Sequence, residues 1–142
     1  MKFIHHHGGR AAAGYKGSAG DCVTRAIAIA TELPYQEVYD ALNALCKTVK
    51  QRKHSRVGGS RTGITRPVYE QYLKSLGWKW QATMGIGVGC STHMIDYEVP
   101  KGRVIVRVSK YLAAVIDGVL HDTQDCSRGG TRCVYGYFIR EE

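Results

Sequence analysis

The sequence predicts an α+β domain in which N-terminal helices pack on an antiparallel β-sheet. Three observations carry this: apolar residues recur at helical spacing through the first half, they alternate with basic residues in the last third, and Asp117-Gly118 marks a tight hairpin. The chain has 142 residues, which suits one domain over 1–142. No linker or internal repeat interrupts it.

Met1 to Gly20 holds five of the seventeen glycines and little apolar periodicity, so it reads as an extended or looping lead-in. Asp21 then offers a carboxylate to the exposed amides of a helix whose apolar face is Val23, Ala26, Ile27 and Ala30. Pro34 suits the first turn of a second helix with Val38, Ala41, Leu42 and Leu45 as its inner stripe. Pro67 starts a third, lined by Val68, Tyr72, Leu73 and Leu76 and stopped by Gly77. Trp78 and Trp80 open strand-like sequence. From Arg103 to Ser109, basic and apolar residues alternate in period two, as in a strand with one solvated face. Tyr111–Ile116 and Val119–Asp122 flank Asp117-Gly118, a dipeptide suited to a turn whose two residues both need positive φ. Val134 to Ile139 supplies a further strand.

Composition narrows the function classes. With 44% hydrophobic residues the chain can build a core. No apolar run approaches the roughly 20 residues of a membrane span, and Met1 to Arg10 lacks the apolar middle of a signal peptide, so no membrane partner and a cytoplasmic location are expected. A formal charge of +8 favours anionic partners. Much of it lies between Lys47 and Arg66, which holds seven Lys or Arg residues and no acid and reads as an exposed loop. Arg52, Lys53 and Arg56 are its candidate phosphate contacts. Tyr69, Tyr72, Trp78 and Trp80 are candidate stacking surfaces, although their spacing also suits a core.

Cys22 is the candidate nucleophile. A helix N-terminus lowers a cysteine pKa because unpaired amides and aligned peptide dipoles favour the thiolate. The same amides suit an oxyanion. Gly20-Asp21-Cys22 resembles the start of bacteriocin-processing peptidases and related papain-like proteins. Tyr111 through Asp122 resembles their strand pair carrying the catalytic histidine and its carboxylate partner. Small proteins of phages and prophages look alike in the same way. The resemblance covers about two-thirds of the domain and implies a papain-like fold and a cysteine hydrolase or an inactive descendant of one. Its partner would be a protein or peptide substrate or a host protein, in the host cytoplasm if phage-encoded, and no cofactor is implied.

Residue by residue, the resemblance makes Cys22 the nucleophile and Asp122 the carboxylate that orients the base. It sets Tyr111 where histidine is expected and Lys16 where a glutamine completes the oxyanion hole. A phenol is a poor base at neutral pH. If Asp117 and Gly118 are the turn, Ala114 faces His121, and Tyr111, Ala113 and Asp122 share one face of the sheet while Leu112, Ala114 and His121 share the other. His121 would then need a bulge to reach the site. His93 and the His5–His7 group are the remaining imidazoles.

Five cysteines give no complete disulfide framework. Cys90, His93, Cys126 and Cys133 include soft ligands, but Cys126 and Cys133 stand too far apart for a zinc knuckle, so no metal is expected. A Cys126–Cys133 disulfide would not persist in reducing cytosol.

Overall fold

The computed structural model describes residues 1–14, 20–48, 59–60 and 63–140. In chain order its elements are β1 (Lys2–His5), α1 (Cys22–Thr31), α2 (Tyr35–Thr48), α3 (Arg66–Ser75), β2 (Trp78–Ala82), β3 (Arg103–Val108), β4 (Tyr111–Ile116), β5 (Val119–Asp122), a short 3-10 turn (Arg128–Gly130) and β6 (Gly136–Arg140). The fold is α+β: three helices and a six-stranded mixed sheet in the order β1-β5-β4-β3-β6-β2.

The sheet is not wholly antiparallel. β1 runs parallel to β5, with His5 opposite Asp122, and the His6 amide donates to the Asp122 carbonyl at 2.8 Å. The expected lead-in is therefore partly an edge strand. Its sequence, Lys-Phe-Ile-His, is too short for a periodic signal, and all four residues are exposed.

The helix stripes follow their spacing. Val38 and Leu42 of α2 and Val68 and Leu73 of α3 are fully buried, and Pro67 sits in the first turn of α3. α1 is more deeply set than one apolar face requires, because every residue from Val23 to Ala30 is buried. It lies between α2 and the β4 face of the sheet.

The β4–β5 hairpin has the expected register, Ala114 opposite His121 and Ile116 opposite Val119. Asp117 and Gly118 take φ of 50° and 79°, the conformation a two-residue turn matching the strand twist demands. β3 departs from expectation, since both of its faces are packed. Ile105, with Leu112, Ala114 and Phe138, joins the helix-side core. Val104, Val106 and Val108 join a second core with Met94, Val99 and Val134. Those covering residues come from irregular connections, which carry no period to read. Arg103 and Arg107 flank Ile105 on the helix side, and Arg103 donates to the carbonyls of Ile29 and Ala30, the end of α1. At Gly136 a Cβ would meet the Trp80 ring at 2.3 Å, so β6 begins where the backbone must pass an indole.

Cys133 pairs with Cys90, not Cys126, with Cα atoms 5.9 Å apart. The bond ties residues 83–92 to the start of the last strand region, beside the His93–Cys133 bridge. It also removes both sulfurs from any zinc set. Cys126 is buried against Met94, its thiol pushed up to about 12 by burial and by the Asp122 charge. Replacing Cys90 and Cys133 by serine should lower unfolding free energy by about 2–4 kcal/mol in oxidising buffer, read by urea denaturation, and have no such effect on the reduced protein.

Candidate functional site

The site forms where the start of α1 meets the start of β4 and the end of β5. Asp21 precedes α1, yet its side chain makes no capping hydrogen bond. Oδ1 accepts from Arg25 Nη1 at 2.5 Å and Oδ2 from the Tyr35 hydroxyl at 2.8 Å, with Arg10 3.5 Å away. The ion pair with Arg25, one turn along, displaces the expected cap, because two charges in a dry environment cannot be left uncompensated.

Arg25 is the hub. It is 5% exposed. Besides Asp21, its Nε donates to Asp122 Oδ1 at 3.0 Å and its Nη2 donates to the Tyr111 hydroxyl at 2.7 Å. Tyr111 in turn donates its proton to Asp122 Oδ1 at 3.0 Å, and the Thr123 amide reaches the same oxygen. Burial opposes the guanidinium charge, but Asp122, Tyr111 and Asp21 outweigh it and raise the Arg25 pKa. For Tyr111, burial and the Asp122 charge push the phenol well above its ordinary value. Asp122 Oδ2 is buried and has no hydrogen-bond partner among the described residues.

Cys22 begins α1, partly exposed, and shares a cleft with Tyr111. Its thiol is raised, not lowered. Burial is the chief cause, while the Leu112 backbone amide and Arg25 pull the other way. A helix N-terminus alone therefore does not make this sulfur a thiolate, because desolvation penalises the charge more than nearby donors favour it.

The structure brings Cys22, Tyr111 and Asp122 together and leaves His121 apart. The His121 ring lies 5.6 Å from that of His6, away from the Cys22 cleft, on the face the hairpin register assigns. His93 contacts Glu98 at 3.3 Å beside the disulfide. His5 and His7 also line the cleft, and His7 Nδ1 accepts the Gly9 amide at 3.1 Å, so that nitrogen is already engaged. Lys16, Arg52, Lys53 and Arg56 lie outside the described residues. The end of the basic stretch is not loose: buried Ser60 receives the Thr24 hydroxyl on its carbonyl, and its amide donates to Asn43.

The cleft has a volume of about 1120 Å³. Arg10, Arg25, Arg66, Arg107 and Lys110 line it, and no Asp or Glu does so among the described residues. Sequence reasoning placed none of the five beside Cys22, although Arg66 closed the basic stretch read as a phosphate-docking loop. Arg25 had a legible signal, a lone charge in the otherwise uncharged stretch from Val23 to Ala30 with Asp21 four residues before it. Arg10, Arg107 and Lys110 had none, since their meeting joins the N-terminal segment to the β3–β4 hairpin across the fold. No group of three or more potential metal ligands occurs among the described residues, and none of their helices is long and apolar enough to cross a membrane.

No family model, no curated protein and no solved structure matches the chain. The site has to be read from its own geometry.

That geometry carries one pH dependence. His6 and His121 are held below the ordinary imidazole value, both chiefly by burial, with His6 further lowered by the charges that His121, His7, Arg103 and His5 would bring and His121 by that of Arg103. An imidazole depressed by folding binds protons more readily when unfolded. Its contribution is therefore complete above about pH 6.5 and lost as pH falls through the lowered folded value. A His121→Gln variant should show a flatter decline in melting temperature than the wild type between about pH 7 and pH 5.

Proposed function

We propose that this chain is a catalytically impaired relative of the papain-like cysteine hydrolases, one that keeps the cleft of such an enzyme as a binding site and has a tyrosine where the proton acceptor would stand. Cys22 at a helix start, facing a strand pair that carries Tyr111 and Asp122, supports the relation. One observation carries the loss of activity. The Tyr111 hydroxyl accepts from Arg25 and gives its proton to Asp122, so the group in the histidine position is committed at both ends. A general base needs a free lone pair and a pKa near the working pH. This phenol has neither.

Arg25 supports the same reading. Asp122 would orient an imidazolium in an active enzyme, and here it compensates a guanidinium instead. The phage origin suggested by the sequence and a cytoplasmic location belong to this proposal. In reducing cytosol the chain would work with Cys90 and Cys133 as thiols.

The test is alkylation of Cys22 by iodoacetamide across a pH series, followed by peptide mass spectrometry. The expected rate at neutral pH is no greater than that of a free cysteine model thiol and rises only through the alkaline range. A plateau already reached near pH 7 would mean an activated thiolate and an enzyme.

A further inference from the structure

We infer that the cleft beside Cys22 binds single-stranded nucleic acid, with Lys110 and Arg107 on its phosphates. This names the ligand class of the binding site proposed above and rests on that reading.

Charge is the first argument. No carboxylate among the described residues lies within ion-pair distance of Arg107 or Lys110, whereas Arg10 and Arg25 are matched by Asp21 and Asp122 and Arg66 by Glu70. The two unmatched cations face a cleft without acids, an arrangement that focuses a positive potential on whatever enters. α1 opens onto the same space through Cys22 and Val23, with no side-chain cap on its N-terminus.

Lys110 occupies the two-residue turn between β3 and β4 at φ 56°, a left-handed conformation that such turns call for, and the turn sets this cation in the lining of the cleft.

A strand of nucleotides fits better than an acidic peptide for two reasons. Two cleft guanidinium groups already lie over aromatic rings, Arg66 over Trp80 with 5.1 Å to the centroid and Arg107 over Tyr135 with 5.7 Å. Arg66, backed by its ring, presents a flat cationic platform on which a base stacks and a carboxylate does not, while Arg107 keeps its N–H edge for a phosphate. The wall at Gly63, Ile64 and Arg66 belongs to the end of a sequence segment, Lys47 to Arg66, that holds seven basic residues and no acid, a composition that suits a ligand with one charge per repeating unit.

The experiment is fluorescence anisotropy with a labelled oligo(dT) of about 16 nucleotides, titrated at several salt concentrations, with polyglutamate as competitor. The variants are Lys110→Gly, which suits the turn while deleting the charge, and Arg107→Gln. Thermal melting checks that both are folded. The expected result is binding whose logarithmic salt slope is shallower by about 0.7 for each cation removed, and by about 1.4 for the pair. Three outcomes overturn the inference. These are no binding by the wild type, variants that bind with the wild-type slope, and competition by polyglutamate as strong as by unlabelled oligo(dT), which would make this an acidic-peptide site. Cys22 is untouched in every arm, so failure here leaves its alkylation profile standing, and an activated Cys22 leaves this readout intact.

Discussion

Arg25→Met is expected to lower unfolding free energy by about 3–5 kcal/mol, the range for removing one partner of a buried ion pair. Methionine keeps most of the aliphatic stem, so the loss is not mainly a cavity. What remains is a pair of buried carboxylates at 1% and 2% exposure, Asp21 with only the longer contact to Arg10 and Asp122 with no cation beside it among the described residues. Two further readouts separate this cause from a general packing defect. Adding Asp122→Asn to Arg25→Met should restore part of the loss, a coupling that a double-mutant cycle measures directly. Arg25→Lys should recover little. A point charge cannot serve Asp21, Asp122 and Tyr111 together as the planar fork does.

Tyr111→His should have the largest effect on chemistry. The substitution places an imidazole on the strand next to Cys22, with Asp122 as a neighbour that still has an unused buried acceptor in Oδ2. Thiols paired with an imidazole are ionised well below neutrality. Cys22 should accordingly react with iodoacetamide at pH 7 about tenfold faster than in the wild type, or more. Stability should fall by about 1 kcal/mol, as the phenol's hydrogen bonds with Arg25 and Asp122 are given up. Adding Asp122→Asn should abolish most of the gain, since the imidazole is then neither oriented nor held charged. A folded Tyr111→His protein with wild-type thiol reactivity would mean that the resemblance to a hydrolase site stops at the positions of the residues.

What the sequence made legible follows from locality. Helix stripes such as Val38 and Leu42 repeat every turn, and the Asp117-Gly118 turn needs only two residues to declare itself, so the hairpin register and the meeting of Tyr111 with Asp122 could be worked out from spacing. β1 could not. Its place in the sheet depends on a parallel pairing with residues more than a hundred positions away, and four exposed residues carry no amphipathic signal. The second core was invisible for a related reason, since Met94, Val99 and Val134 sit in irregular segments.

The thiol shows the limit of a one-dimensional argument. Cys22 does begin a helix, and that favours ionisation. Burial opposes it, and burial is a property of the packed molecule, created here by β4 and by the buried network around Arg25. The role of Asp21 turned in the same way. An aspartate before a helix reads as a cap, and only the folded chain shows Arg25 and Tyr35 holding its carboxylate instead.

The most direct measurement is an NMR titration of the wild-type protein with 13C at the cysteine Cβ, following the Cys22 resonance with pH. The account predicts a midpoint above the ordinary thiol value of about 8.5, with no inflection near neutrality. A Cys22 midpoint below about 7 would show a thiolate stabilised by its surroundings, and would contradict the claim that this site has given up nucleophilic chemistry.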